Sequence, residues 1–128
     1  MHTFSELKVL IGTALWLHEH DWVIESVSLA TGSGLESIDG QKDTIREVFG
    51  QARIPHEKHD FFQNSGPDIT VSSTAGIWKF ECKGLGYGER RTVKNNFDRA
   101  VASVVSYYDA PQTRLGLALA EGYLWGYD

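Results

Sequence analysis

Three side chains in this chain stand at positions where they could act together. Asp68 opens the segment DITVSS, and Glu81 and Lys83 close the segment IWKFECK; Thr74, Ala75 and Gly76 separate the two. Both segments read as strands, and strand side chains alternate between faces. Trp78, Phe80 and Cys82 therefore point one way, and Lys79, Glu81 and Lys83 the other. A tight reversal at Thr74 and Ala75 places Asp68 opposite Glu81, with Cβ atoms about 4.5–5.5 Å apart. Two carboxylates at that range repel unless a cation lies between them or one of them is protonated. Oxygen ligands of this kind suit Mg²⁺, and Mn²⁺ could substitute. Lys83, further along the same face, would then orient a water molecule or stabilise negative charge on a phosphate.

The elements that must position these groups follow from periodicity. Phe4, Leu7, Ile11, Ala14, Leu15 and His18 recur at helical spacing over residues 4–18, and Thr3 with Glu6 forms a capping box at the start. Trp22 to Ala30 alternates as a strand, Thr31 to Gln41 is turn-rich, and Asp43 to Arg53 reads as a short helix ending before Pro55. His56 to Pro67 is polar and takes no assignment. After the two central strands, Gly84, Gly86 and Gly88 open a loop. A long amphipathic helix follows from Thr92 to Tyr108, with Val93, Phe97, Ala100, Val101, Val104, Val105 and Tyr108 as its inward stripe. Leu115 to Ala120 is a last core strand, and the aromatic tail with Tyr123, Leu124, Trp125 and Tyr127 suits an edge strand, a docked tail or an interface.

Pro67-Asp68 followed by Glu81-Cys82-Lys83, set in a strand–turn–strand–helix, resembles the PD-(D/E)xK motif of restriction-endonuclease-like nucleases. The resemblance covers most of the chain, with residues 31–66 and those after Ala120 less constrained by it. It implies an α/β fold with a restriction-endonuclease-like core: a mixed central sheet flanked by helices in the order α-β-(α)-β-β-α-β, all in one domain over residues 1–128. It also implies that Asp68 and Glu81 bind the metal, that the backbone carbonyl of Cys82 completes its shell, and that Lys83 serves the attacking water. Glu6 on the first helix is the additional candidate such proteins often use, in competition with its capping role, and Glu19 is a weaker one. Arg90, Arg91, Lys94, Asn95 and Arg99 on or before the long helix are candidates for substrate contact, with Tyr87 placed to stack on a base or sugar.

The activity so implied is metal-dependent phosphodiester hydrolysis, as a DNA endonuclease with limited sequence specificity. The expected partners are DNA, a second copy of the chain, or a larger protein that supplies targeting. Two alternatives stand beside it: a catalytically inactive binding module on the same fold, and a structural or protein-interaction protein in which the three residues form an ion-pair network.

Other motifs say less. His56, Glu57, His59 and Asp60 do not have a familiar zinc spacing and read as a polar loop. The GxGxG run from Gly84 to Gly88 is neither a Walker loop nor a dinucleotide fingerprint. Cys82 reads as a buried core residue, not a nucleophile.

Composition sets the outer bounds. The 128 residues are 41% hydrophobic and 23% charged, in the range of an ordinary folded domain. No apolar run reaches the length of a membrane span, no secretory signal is evident at MHTFSELK, and one cysteine fits a reducing compartment, so a cytoplasmic location is expected. The net charge of −5 argues against a general nucleic-acid binder. Yet Lys79 to Arg99 holds 6 basic and 3 acidic residues, so positive charge gathers near the motif.

Overall fold

The computed structural model describes residues 6–31, 35–84, 90–109 and 113–119, with the backbone alone for 90–97. Helix α1 spans Glu6–Glu19 and buries Leu10, Ala14 and Leu17, the spacing of a single stripe. Leu7, Ile11 and Leu15, expected at the centre of the buried face, are half-buried at its sides. Apolar residues occur nearly all round this helix, so packing rather than periodicity selects the face. Phe4 and Thr3, and with Thr3 the expected capping box, lie outside the described residues.

Strand β1 (Val23–Ser28) leads to helix α2, which covers Ile38–Ala52. The helix starts well before the expected Asp43. Ser37 caps it, its hydroxyl accepting the Gly40 N–H at 3.0 Å, and Asp39 sits in the first turn, where a negative charge suits the helix dipole. Ser, Asp and Gly that read as turn signals are thus the start of a helix. Gln41, buried in this first turn, donates from Nε2 to the carbonyls of Ala30 and Glu36, each at 2.9 Å, and ties α2 to the chain leaving β1.

Three further strands and a helix complete the described fold: β2 (Phe62–Gln63), β3 (Ile69–Ser73), β4 (Gly76–Lys83), α3 (Arg90–Ser106) and β5 (Thr113–Leu119). The sheet order is β2-β1-β3-β4-β5. β1 pairs parallel to β2 and antiparallel to β3, with an irregularity between Ile24 and Ser26. β3 and β4 form the expected hairpin, from Ile69 opposite Phe80 to Ser73 opposite Gly76. Gly76 takes φ 128° at the reversal, a conformation open to glycine. β5 runs parallel to β4 along the other side.

The result is a mixed five-stranded sheet flanked by three helices, an α/β architecture. One core cluster joins Leu10, Ala14 and Leu17 of α1 and Ile45 and Phe49 of α2 to Ile24, Val27, Ile69, Val71 and Cys82 of the sheet, with Trp78 and Phe80 packed against it. Each large apolar side chain so buried stabilises the fold by about 1.5–3 kcal/mol. Helix α3 packs against β4 and β5. Of the expected inward stripe, Ala100 and Val104 are buried and Val101, Val105 and Tyr108 are exposed, while the side chains of Val93 and Phe97 lie outside the described residues. No described helix is long and apolar enough to cross a membrane.

Candidate functional site

The hairpin register decides where the motif residues meet. One step beyond the pair Ile69 and Phe80, the ladder brings Asp68 to Glu81 and Cys82. The Asp68 carboxyl accepts the Cys82 N–H at Oδ2, 2.7 Å away, and makes a side-chain hydrogen bond with Glu81. A bond between two carboxyl groups needs a proton between them. Burial, and then that bond, push the Asp68 carboxyl up to about 8, with the Cys82 N–H opposing. Burial thus favours a protonated Asp68 carboxyl facing Glu81.

Alternation along β4 sends Lys79 and Glu81 to one side and Cys82 to the other, as the sequence predicts, whereas Lys83 at the strand's end reaches α1. Cys82 lies in the core on the α1 side, where it meets the Thr13 hydroxyl, and burial holds its thiol well above the ordinary range. Glu81 is only 8% exposed and turns toward the end of α3. There the Tyr107 hydroxyl donates to Glu81 Oε1 at 2.9 Å, and the Gly66 carbonyl lies 3.4 Å from the Tyr107 hydroxyl oxygen. Burial and the Glu81 contact raise the Tyr107 hydroxyl above its ordinary pKa, so it stays a donor. The segment carrying Tyr107 is fixed by Lys79, whose Nζ donates to Asp109 Oδ2 at 2.7 Å and reaches the Tyr107 carbonyl at 3.4 Å. Tyr107 is the member of the cluster that sequence reasoning missed. The helical stripe drew attention to its neighbour Tyr108, and nothing in the spacing pairs Tyr107 with Glu81.

Lys83 turns to α1. Its Nζ lies 3.2 Å from Glu6 Oε1, in a pair that is partly shielded from solvent at both ends. Glu6 therefore joins the cluster from the first helix, and its charge also acts on Asp68. The structure thus brings together Glu6, Asp68, Glu81, Cys82 and Lys83. Cys82 contributes its amide nitrogen. Arg99 is exposed on α3. Tyr87 and the side chains of Arg90, Arg91, Lys94 and Asn95 lie outside the described residues.

Beside Asp68 a cleft of about 190 Å³ opens between α1 and the chain that follows β1. Leu7, Leu10, Leu29 and Leu35 form its walls, and the ionisable groups among its described lining residues are Glu6, Glu36, Asp68 and Cys82. None of those described lining residues is a lysine or arginine, and the nearest described cation, Lys83, is paired with Glu6 at the rim.

The donor set does not fit a metal. Among the described residues, no group of three or more His, Cys, Asp or Glu side chains is placed to hold a metal ion. This overturns the expected Mg²⁺ or Mn²⁺ at Asp68, Glu81 and the Cys82 carbonyl. With it go the expected metal-dependent nuclease and hydrolase activity and the DNA endonuclease reading built on it. The physical reason is that each polar group already has a partner within the fold. Asp68 faces Glu81 with its carboxyl raised by burial, Tyr107 donates to Glu81, and Lys83 pairs with Glu6. No buried side-chain nitrogen or oxygen among the described residues lacks a partner. The segment from His56 to Asp60 is likewise structural: His56 Nδ1 lies 2.8 Å from the Ile54 carbonyl, and its ring meets Phe49 and Phe61 edge-on.

Comparison with protein-family models, with curated proteins and with solved structures returns no match. The class defined by the fold is therefore the general one, a mixed α/β sheet with helices on both faces.

Proposed function

We propose that this chain is a catalytically inactive binding module built on a restriction-endonuclease-like core, and that it works through contact with protein. The nuclease-like element order, the hairpin that sets Asp68 against Glu81, and the lysine two residues further on support the architecture. One observation carries the loss of catalysis: every side chain of the motif is bound by another group of the same fold. Tyr107 donates to Glu81, the Cys82 N–H donates to Asp68, whose carboxyl is raised by burial, and the lysine is held by Glu6. These bonds join α1, β3, β4 and the end of α3. In that role the motif residues are a polar joint that fixes the relative placement of four elements. The net charge of −5 and the acidic lining of the cleft further favour a protein partner over a nucleic acid.

The test combines thermal melting with a cleavage and binding assay. Purified protein is melted with Mg²⁺, Mn²⁺ or chelator, and incubated with labelled single-stranded, duplex and branched DNA. The expected result is one melting temperature in all three conditions, intact DNA, and no retention of DNA at physiological salt. Metal-dependent cleavage that disappears in Asp68→Asn would overturn the proposal. Retention of uncut DNA would replace the protein partner by a nucleic acid.

A further inference from the structure

A second cleft, of about 540 Å³, opens at the β2 edge of the sheet, between α2 and the segment that leads into β2. It shares no described lining residue with the cleft beside Asp68. Lys42 and Arg46 of α2, Lys58 and His59 of the connecting segment and Phe62 of β2 line it, with Glu57 on the same wall. Lys58 is already engaged, 3.3 Å from Glu25 and 3.8 Å from Asp60. Among the described residues no carboxylate pairs with Lys42, and Arg46 meets the exposed Asp43 at 3.6 Å. Lys42 and Arg46 stand at i and i+4, where like charges repel and destabilise a helix. Yet both converge on one ring: Lys42 Nζ lies 5.6 Å and Arg46 Cζ 5.3 Å from the centroid of Phe62. That ring meets Phe61 edge-on at 5.3 Å, and Phe61 is buried in the core. Phe62 is therefore a fixed platform that draws two flexible cations together before any ligand arrives.

We infer that this cleft binds a phosphate monoester between Lys42 and Arg46. A monoester carries close to two negative charges and three strong acceptor oxygens. Lys42 offers an ammonium, Arg46 a planar fork that suits two phosphate oxygens, and His59 at the exposed rim a ring N–H. A dianion seated between the two cations cancels both charges and removes their repulsion. A carboxylate or a phosphodiester carries one charge and leaves half of that repulsion in place. The surroundings narrow the choice further. Asp43, Glu57 and Asp60 are exposed around the cleft, and they repel a long polyanion laid across the surface. A compact dianion held by Lys42 and Arg46 avoids them. The cleft lies at the sheet edge, with β1 between β2 and the motif strand β3. Its residues take no part in the Asp68–Glu81 cluster, so the inference goes beyond the proposed function and does not rest on it.

An amide NMR titration at low ionic strength tests it, with capped phosphoserine, a pentose 5-phosphate and dimethyl phosphate as probes. The two monoesters are expected to give saturable shifts at Lys42, Arg46 and His59, with affinity about fivefold or more above that of the diester. Lys42→Met and Arg46→Met are each expected to weaken monoester binding by about fivefold or more. Lys8→Met, which removes an exposed cation from α1, leaves it unchanged. Phe62→Leu keeps both charges and removes the platform, and is expected to weaken binding about threefold. Circular dichroism melts confirm that the variants stay folded. The absence of a saturable shift overturns the inference, as does unchanged affinity in Lys42→Met and Arg46→Met, or a diester that binds as tightly as the monoesters. Tighter binding of phosphoserine assigns the phosphate to a protein partner's side chain, and tighter binding of the sugar phosphate assigns it to a small metabolite; either keeps the site. Metal-dependent DNA cleavage would overturn the non-catalytic reading and leave this site standing, whereas intact DNA with no monoester binding would overturn this inference alone.

Discussion

The Asp68 carboxyl meets its neighbouring strand twice, accepting the Cys82 N–H at 2.7 Å and facing the Glu81 carboxyl, and burial there raises it to about 8. Asp68 precedes β3, and this double attachment extends the hairpin one residue beyond the last backbone pair. The same contact that looks like half of a metal site is, with its proton, a cross-strand clasp.

The proton makes stability depend on pH with a definite sign. Asp68 is raised from 3.8 to about 8 in the folded protein, mainly by burial. Between those values the native state holds a proton that the unfolded chain has released. The contribution is therefore complete below about pH 4 and is lost as pH rises through about 8. Asparagine can accept from Cys82 and donate to Glu81 with no proton to lose. Asp68→Asn is expected to flatten the decline in melting temperature across that window. At its alkaline end the variant should be the more stable protein. Urea titrations of both proteins at several pH values measure this.

Tyr107→Phe removes the hydroxyl that donates to Glu81 and leaves a buried carboxyl short of a partner. The expected cost is about 1–3 kcal/mol, read as a lower denaturation midpoint with an unchanged slope. A loss that vanishes when Glu81 is first replaced by leucine, which accepts no hydrogen bond, would assign it to this bond.

The Lys83–Glu6 pair is a weaker tie. Its side chains are 24% and 35% exposed, so solvent screens much of the attraction. A double-mutant cycle with Lys83→Met and Glu6→Gln is expected to give a coupling of about 0.5–1 kcal/mol that shrinks with added salt.

Gly116 faces Phe80 across the β4–β5 ladder. A Cβ built there would lie 2.3 Å from the Phe80 ring, which itself stacks on Trp78 at 5.9 Å between centroids. The ring has to move for alanine to fit, so Gly116→Ala is expected to cost roughly 1–3 kcal/mol in a thermal or urea melt.

Much of the hairpin could be read in advance, because alternation and a short reversal determine register together. Ile69 to Ser73 and Gly76 to Lys83 pair so that Asp68 meets Glu81, as the residues alone suggest. What alternation does not reveal is the protonation state. A cation and a proton answer the same repulsion, and only the surrounding donors distinguish them. Faces of helices were less legible for a different reason. In α1 apolar residues occur on every side, and in α3 the valines at 101 and 105 satisfy a helical stripe without facing the sheet. Strand β2 is two residues long, too short for periodicity to register. The Glu6–Lys83 and Tyr107–Glu81 contacts join residues far apart in the chain, and local spacing carries no trace of them.

A carboxyl-carbon NMR titration of Asp68, with and without Mg²⁺, reads the protonation of the Asp68–Glu81 pair itself. The midpoint is expected at about 8, where burial and the Glu81 contact set it, and unchanged by Mg²⁺. A midpoint in the ordinary carboxylate range, or one that Mg²⁺ drives sharply downward, would contradict the clasp and restore a metal to the site.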